Sequence, residues 1–244
     1  MTLLNSIILA IVQGITEFLP VSSSGHLTLF QYILNTTPSL SFDIFLNTSS
    51  LLTVFVYFAA SWRLFIKDFK YIIIGSIPAA IVGLLFKPQL ESLFSSPKYL
   101  PLFFGISALI LFASRYLVRQ DKKLTYQKAL IIGLFQSLAI LPGVTRSGST
   151  IVAGLLLGLP ATMAFQFSFF LFIPASFGAL LLELRDNQFS QFFNLNYFIA
   201  FLITFFVGLL SLKILKKSIQ SQHLWYFSIY LVILAVILFL SLQT

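Results

Sequence analysis

Hydrophobic positions along this chain form long uninterrupted runs, unlike the alternating or one-sided patterns of water-soluble strands and helices. A run of about 18 to 20 apolar residues is long enough to cross a bilayer as an α-helix. The sequence shows no series of ten-residue segments with alternating polarity, which would be typical of a transmembrane barrel. The runs predict six membrane-crossing helices, at residues 42–61, 71–86, 99–117, 162–182, 197–213 and 224–241.

Charged positions interrupt these runs in short clusters. Cytoplasmic loops of membrane proteins carry an excess of Lys and Arg. We therefore expect the strongly basic clusters to be cytoplasmic, and they lie at residues 63–70, 115–128 and 213–217. With those loops inside, residues 2–34 must begin and end outside, and residues 127–159 must begin and end inside. Each of these two regions is predicted to be a re-entrant helical hairpin.

The two predicted hairpins share a pattern of an apolar run, a Leu-Pro pair and a hydroxyl-rich turn. The pattern reads GITEFLPVSSSG at residues 14–25 and SLAILPGVTRSGS at residues 137–149, half a chain length apart. It predicts an inverted-topology repeat of residues 1–122 and 123–244 within a single membrane domain, 1–244. Irregular backbone at membrane depth is tolerated where it lines a polar cavity or is buried in protein. We therefore expect the two hairpin tips to face each other.

The composition fits no soluble globular domain, because 58% of the 244 residues are hydrophobic and only 9% are charged. The predicted fold class is an all-α polytopic membrane protein, with six transmembrane helices and two re-entrant helical hairpins. The loop clusters account for the formal net charge of +8, so no nucleic-acid partner is expected. The absence of cysteine excludes disulfides and thiolate ligands. The first apolar run lacks a basic leader and continues to Glu17, so we expect no removable signal peptide.

Three charged residues fall outside the loop clusters: Glu17, Asp43 and Arg146. An ionised side chain at membrane depth costs at least about 2.5 to 3.5 kcal/mol, so it persists mainly where it faces a polar cavity. Asp43 lies at a predicted helix start, where an acid complements the helix dipole, and is expected to be structural. Glu17 and Arg146 lie in the two tips. Structural alternatives for them are a buried ion pair with each other, or a protonated Glu17 bonded to a neighbouring helix.

The first tip carries groups suited to a cation and to an anion. Gln13 and Glu17 are four residues apart and share one helix face, so both could contact a cation. After the proline, hydroxyls and free backbone N–H groups at the start of a second half-helix suit phosphate, and they belong to Ser22, Ser23, Ser24 and Gly25. His26 lies one turn after Ser22 and Ser23, so its imidazole could exchange a proton with either hydroxyl. Taken alone, His26 would more often be a structural residue.

The second tip adds a permanently charged guanidinium, Arg146, whose fork matches phosphate geometry. Gly143 allows close approach of the backbone. Further donors are the hydroxyls of Thr145, Ser147, Ser149 and Thr150. The two tips together suit phosphoryl transfer, in which positioning and charge neutralisation supply most of the catalysis. A Mg²⁺ ion, or alternatively Ca²⁺, held by Glu17 and by substrate oxygens would be typical of such a site.

These motifs resemble those of the undecaprenyl pyrophosphate phosphatase family of the bacitracin-resistance type. That family carries (E/Q)xxxE, SSxGH and PGxSRSxxT, which correspond here to Gln13–Glu17, Ser22–His26 and Pro142–Thr150. The resemblance covers most of the chain, since it continues through residues 83–86, 90–94 and 167–174.

The resemblance implies hydrolysis of a C55 polyprenyl diphosphate to its monophosphate and inorganic phosphate. This reaction recycles the lipid carrier for peptidoglycan synthesis, and it supports cell-wall biogenesis, cell shape and resistance to bacitracin. The resemblance also implies a multi-pass protein of the bacterial cytoplasmic (inner) membrane, with its active site open to the outer (periplasmic) face. The implied partners are the lipid substrate and membrane lipid, and a homodimer is left open.

The resemblance also assigns roles to single residues. The family nucleophile corresponds to Ser23 in one scheme and to His26 in another, and Arg146 binds the diphosphate in both. Three positions depart from the family pattern, namely Gln13, Asn47 and Thr145. Thr145 keeps a hydroxyl where the family has serine, and Asn47 replaces a glutamine. Gln13 leaves one carboxylate in the first motif, which weakens schemes that require two acidic metal ligands.

Two other functions would use similar features. Inverted repeats with broken helices are typical of transporters, so the tips could bind an anionic or polyprenyl-phosphate substrate for transport or lipid flipping. A transporter does not need a histidine beside serines. Type 2 phosphatidic acid phosphatases also carry a Ser-Gly-His sequence, but they need a second histidine followed by an aspartate. His223 has no aspartate after it and is expected to be interfacial, so we reject this class.

Overall fold

The computed structural model describes residues 1–36, 40–94, 97–117, 120–185 and 195–242. Over these residues the chain is helical and contains no strand, which confirms an all-α protein. The helices are α1 (Leu3–Thr16), α2 (Ser23–Ile33), α3 (Leu40–Tyr57), α4 (Trp62–Leu85), α5 (Lys87–Phe94), α6 (Leu100–Ala113), α7 (Tyr126–Leu138), α8 (Arg146–Leu156), α9 (Ala161–Arg185), α10 (Leu195–Gln220) and α11 (Tyr226–Ser241).

The length and apolarity of the helices identify a polytopic membrane protein. Long apolar segments that could cross a bilayer are Ala59–Leu85, Pro97–Tyr116, Ala161–Leu181 and Leu195–Gln220. Two other predicted crossings correspond to shorter apolar helices, Phe42–Tyr57 and Tyr226–Ser241. At 1.5 Å per residue, a helix as long as α11 spans about 24 Å, which is less than the roughly 30 Å of a bilayer core. Helix length therefore supports four of the six predicted crossings.

Each predicted hairpin contains a short helix that begins anew after an irregular turn. The N-cap of α2, Ser22, accepts a hydrogen bond from the backbone N–H of Gly25. In the same way Thr145 caps α8 and accepts from the backbone N–H of Gly148. Hydroxyl caps of this kind satisfy donors that the start of a helix leaves unpaired. The two half-helices, which have 11 residues each, therefore start with the same local chemistry.

Helix pairing brings the two halves of the chain together. α1 packs along α10, α4 along α7 and α6 along α11, while α3 contacts α9 and α10. The two tips touch directly, because a Cβ atom on Gly25 would lie 2.8 Å from the Cα atom of Gly143. The backbone N–H of Gly143 also donates to Ser22 Oγ at 3.1 Å. These contacts confirm the expectation that the tips face each other.

Aromatic side chains fill the core behind the tips. Phe18, Phe104 and Phe169 are fully buried. The ring centroids of Phe18 and Phe169 lie 5.9 Å apart, and the ring of Phe58 stacks at 6.0 Å from that of Phe169. Aromatic pairs at these separations add attraction beyond the burial of their surface. The irregular backbone of the tips is therefore backed by closely packed rings.

α4 and α7 approach each other closely at a pair of glycines. A Cβ atom on Gly133 would clash with the carbonyl oxygen of Gly75. A Cβ atom on Gly75 would lie 2.8 Å from Leu171 Cδ2. Small residues let membrane helices pack backbone to backbone, which increases their van der Waals contact.

We expect Gly133→Ala to lower the melting temperature of the protein in detergent, because the added methyl group overpacks the α4–α7 contact at a cost of about 1 to 3 kcal/mol. Gly105→Ala on α6 is the matched control, since a Cβ atom there meets nothing within 4 Å. Thermal denaturation of both variants checks the prediction. Equal melting temperatures for the two variants would contradict the close approach of α4 and α7.

Candidate active site

An ion pair joins the two tips. Arg146 Nη2 donates to Glu17 Oε1 at 2.6 Å, and the two side chains are only 15% and 10% exposed. The guanidinium carbon also lies 4.0 Å from the ring centroid of Phe172, where the face of the ring attracts a cation. The ion pair between Glu17 and Arg146, which the sequence allowed as a structural role for both residues, is therefore present. It also fixes an acid and a guanidinium at one place inside the helical bundle.

The second oxygen of Glu17 binds the first tip. Ser23 Oγ donates to Glu17 Oε2 at 2.6 Å, and Gln13 Nε2 donates to the same oxygen at 3.1 Å. The Gln13 amide also donates to Ser50 Oγ at 3.3 Å. A hydroxyl that donates to a carboxylate has the arrangement of a nucleophile with its general base. Among the predicted nucleophiles, Ser23 is thus the one in contact with an acid.

His26 is oriented differently from the sequence-based expectation. Its Nδ1 lies 2.8 Å from the backbone oxygen of Ser22, and its Nε2 lies 2.7 Å from Tyr230 Oη. Because the carbonyl can only accept, Nδ1 carries the proton and Nε2 accepts from the tyrosine in the neutral ring. The expectation that the imidazole approaches the hydroxyl of Ser22 or Ser23 is wrong for this arrangement. The ring is turned towards α11 and the tip backbone, and it packs against Phe104.

The junction of the two tips depends on unusual backbone at Ser22. This residue has a φ of 72°, a conformation that non-glycine residues rarely adopt. Its carbonyl is bonded to the imidazole, and its Oγ accepts from Gly143 at 3.1 Å and from Gly25 at 3.4 Å. Gly143 itself has a φ of 101°, which suits glycine. The strained turn is therefore held from both sides by hydrogen bonds.

Two residues that the sequence did not single out support this junction. Ser107 on α6 donates to the carbonyl of Gly143 at 2.8 Å and accepts from the backbone N–H of Thr145 at 2.8 Å. Tyr230 on α11 bonds His26. In the sequence, Ser107 and Tyr230 appear only as hydroxyl groups within apolar helices. A serine hydroxyl in such a helix usually bonds its own helix, so the sequence offered no reason to place it at the site. Their role therefore depends on contacts between distant helices.

A cavity of about 760 Å³ opens in front of the ion pair. Among the predicted site residues, those that line it are Gln13, Glu17, Ser22, Ser23, Ser24, Thr145 and Arg146. A facing wall from α4 and α9 is apolar and built largely of small side chains, including Ala79, Ala80, Gly83, Ala175, Gly178 and Ala179. The cavity thus combines a polar end with an apolar wall.

The other predicted site residues lie behind the cavity surface and are not among its lining residues: Gly25, His26, Gly143, Ser147 and Thr150. Gly25 and Gly143 pack on each other. Thr150 Oγ1 bonds the carbonyl of Arg146 at 2.8 Å and the hydroxyl of Ser168 at 2.6 Å, so it anchors α8 to α9. These residues hold the shape of the tips.

α3 contributes polar side chains to the cavity. Asp43 lies in the first turn of α3, as expected, but it also lines the cavity and accepts from Gln31 Nε2 at 2.7 Å. Asn47 is one turn further along, and its Oδ1 lies 3.4 Å from Ser176 Oγ. The expected position of Asp43 at a helix start is therefore confirmed, and its side chain also shares the cavity with Glu17.

Some buried polar atoms at the cavity have no partner within the described part of the chain, among them Gln13 Oε1 and Arg146 Nη1. Buried polar atoms are nearly always hydrogen-bonded, so unpaired ones at a cavity are available to a ligand. No group of three His, Cys, Asp or Glu that could hold a metal occurs among the described residues. Oxygen donors do fit a hard cation such as Mg²⁺, and here they are Glu17 and Gln13 Oε1.

A family model described as bacitracin resistance protein BacA matches residues 6–237. The chain belongs to this family. A relative from Thermosipho africanus named undecaprenyl-diphosphatase is 40% identical over 254 residues, which cover 97% of this chain and 99% of the relative. Relatives with the same name from Methanococcus vannielii and Methanobrevibacter smithii are each 38% identical. These alignments cover 93% and 99% of this chain, and 95% and 98% of the relatives.

The Tyr230 hydroxyl is expected to hold the His26 ring in one tautomer. The chain has only two histidines, so His223→Gln leaves His26 as the only one. In that background, nitrogen NMR of isotopically labelled histidine should show a protonated Nδ1 and a hydrogen-bonded Nε2. Tyr230→Phe removes the donor to Nε2, so the Nε2 resonance should move to that of an unbonded ring nitrogen. The same resonance before and after this change would contradict the contact.

Proposed function

We propose that this protein is an undecaprenyl-diphosphate phosphatase, which hydrolyses the lipid diphosphate to the monophosphate and inorganic phosphate. The observation that carries the proposal is the contact of Ser23 and Arg146 with the two oxygens of Glu17 at a cavity with an apolar wall. This arrangement offers a nucleophile, a base and an anion-binding cation to a substrate with a charged head and an apolar chain. Membership of the family and the shared name of its relatives agree with it.

The chemistry starts from the short hydrogen bond between Ser23 and Glu17. As Ser23 Oγ attacks the terminal phosphorus, Glu17 accepts its proton, and the bond from that phosphorus to the bridging oxygen breaks. The lipid monophosphate leaves with the bridging oxygen. Glu17 gives the proton that it took from Ser23 to the leaving monophosphate. A water molecule then attacks the phosphoserine, Glu17 accepts a proton from this water, and it returns that proton to Ser23 Oγ as the bond from phosphorus to Oγ breaks, which releases inorganic phosphate. Both steps use Ser23 and Glu17, which are hydrogen-bonded to each other in the structure.

Arg146 is proposed to bind the diphosphate through Nη1, since Nη2 is bonded to Glu17. A guanidinium stabilises the negative charge on phosphate oxygens during transfer. His26 supports Ser23 as the nucleophile indirectly. Both of its ring nitrogens are engaged with Ser22 and Tyr230, and the ring holds the turn that precedes Ser23.

A Mg²⁺ ion is proposed to be held by Glu17 and by the free Oε1 of Gln13, with Ca²⁺ as the alternative. When bound, such an ion neutralises charge on the diphosphate and polarises its phosphoryl oxygens. The amide oxygen of Gln13 is a neutral donor, so the site would have a single protein carboxylate. Substrate oxygens and water would complete the coordination.

The finer topology is also a proposal. We propose six crossings and two re-entrant hairpins, arranged as an inverted repeat of residues 1–122 and 123–244. The exchange of partners supports it, because α1 pairs with α10 while α4 pairs with α7. In an inverted repeat α1 corresponds to α7, and α4 corresponds to α10. The contact between α1 and α10 is then equivalent to the contact between α7 and α4, as two-fold symmetry requires. The similar caps of α2 and α8 agree with it.

The cavity is proposed to open to the outer face of the cytoplasmic membrane. The basic clusters assign the start of α3 and the ends of α4 and α9 to the outside. The cavity is lined by these same ends, namely by Asp43 of α3, Leu84 of α4 and Leu181 of α9. A lipid head entering from the outer leaflet would therefore meet the polar end of the cavity.

Glu17→Ala, Ser23→Ala and Arg146→Ala should each lower phosphate release from a polyprenyl diphosphate in detergent by at least about 100-fold, because they remove the base, the nucleophile and the cation that binds the phosphate. His26→Ala should also remove most activity, through the loss of the Ser22 turn. Ser218→Ala is the control for the loss of a hydroxyl, since Ser218 is half-buried, lies outside the cavity lining and bonds its own helix.

Removal of one partner can unfold a protein that depends on a buried ion pair. Glu17→Gln should therefore be measured beside Glu17→Ala, with gel filtration to confirm that each variant stays folded. Wild-type turnover in a folded Glu17→Gln protein would contradict the role of Glu17 as a base.

Chelation should reveal the cation. Treatment with EDTA is expected to abolish phosphate release, and added Mg²⁺ should restore it, because the diphosphate charge is otherwise balanced by Arg146 alone. Full turnover after exhaustive dialysis against EDTA would exclude the proposed ion. The melting temperature with and without EDTA serves as a control for the integrity of the fold.

A further inference from the structure

Gln136 on α7 carries a side-chain amide that has no hydrogen-bond partner. The residue is only 2% exposed, and neither Nε2 nor Oε1 is bonded within the described part of the chain. The other buried glutamines differ: Gln13, which also lines this cavity, donates to Glu17, and Gln31, which does not line it, donates to Asp43. Gln136 lines the same cavity as Glu17 and Arg146.

An unpaired buried amide destabilises the protein that contains it. The group can donate two hydrogen bonds and accept two, and burial removes the water that would otherwise satisfy them. The wall on α4 consists mostly of small apolar residues such as Ala79 and Ala80, and its one hydroxyl among the lining residues, that of Ser76, donates to the carbonyl of Ile72. A leucine or methionine would fill the position without this cost. The amide is thus poorly explained by folding alone and is free for a ligand.

The position of Gln136 relates it to the phosphate-binding tip. It lies near the end of α7, immediately before the turn that leads to Arg146 at the start of α8. Arg146 Nη1 is also buried and unpaired, and both residues line the cavity. The two sides of one turn therefore each contribute to the cavity lining a residue with buried, unpaired polar atoms.

We propose that Gln136 is a further substrate-binding residue, whose Nε2 donates a hydrogen bond to a phosphate oxygen of the lipid diphosphate. The inference rests on the proposed phosphatase function and assigns a role beyond the residues of the three motifs. Two phosphate groups share this chemistry: the one that stays on the lipid and the one that is released. Gln136 binds but does not react, so it contributes to affinity for the substrate.

The decisive variant is Gln136→Met, which keeps the length of the side chain and removes both polar atoms. Loss of a hydrogen bond to a charged oxygen should raise KM roughly 10- to 100-fold, whereas kcat should change little because the contact exists before and after transfer. The melting temperature of the ligand-free variant should be equal to or above that of the wild type. Gln166→Met on α9 is the control, because Gln166 does not line the cavity.

Inhibition distinguishes the two phosphate groups. If Gln136 binds the lipid-attached phosphate, a prenyl monophosphate should inhibit Gln136→Met more weakly than the wild type. If it binds the released phosphate, inhibition by inorganic phosphate should weaken instead. Unchanged KM and unchanged inhibition by both compounds would overturn the proposal, and so would a lower melting temperature of the ligand-free variant, since that result would make the amide structural.

Failure of the proposed phosphatase function can be distinguished from failure of the proposed role of Gln136. It would appear as a wild-type protein that releases no phosphate from any prenyl diphosphate. In that case the rise in melting temperature caused by farnesyl diphosphate tests the same contact without turnover. A smaller rise for Gln136→Met than for Gln166→Met would support the role of Gln136, and equal rises would refute it.

Discussion

The ion pair between Glu17 and Arg146 is the interaction on which the rest of the site depends. Either charge alone would be costly inside a bundle of apolar helices, and a buried partner left behind would be strongly destabilising. Pairing at 2.6 Å offsets part of that cost and ties two distant parts of the chain together. The remaining oxygen of Glu17 then orders Ser23 and Gln13. One carboxylate thus connects both tips and orients the proposed nucleophile.

The proposed site consists of the groups that line the cavity and of the contacts behind them. Glu17, Ser23 and Arg146 face the cavity, whereas the supporting contacts lie behind them and run from α11 through His26 and Ser22 to Gly143. A serine at positive φ is unfavourable unless its surroundings compensate. The imidazole and the two backbone N–H groups that bond Ser22 provide this compensation. A histidine in a catalytic motif can therefore act by shaping the backbone.

The cavity is more polar than its motifs alone suggest, because α3 adds Asp43 and Asn47, and α7 adds Gln136. Gln13 replaces an acid that the family motif permits, so Glu17 is the only carboxylate of that motif. Unpaired donors such as Arg146 Nη1 remain inside the protein. A diphosphate, which has many acceptor oxygens and high charge, complements the unpaired donors of Arg146 and Gln136. The apolar wall of small side chains complements a prenyl chain.

The membrane class, the helical fold and the motif residues of the cavity followed from the sequence alone. Long apolar runs have few other stable solutions in lipid, and charges such as Glu17 and Arg146 stand out against them. Local spacing also placed Gln13 beside Glu17 correctly. The partners of His26 were decided only by the tertiary structure, because Tyr230 lies on another helix far along the chain. The same holds for Gln136, because its lack of a hydrogen-bond partner depends on the packing of other helices against α7. Spacing within one helix is fixed by its pitch, but contacts between helices depend on how the whole bundle packs.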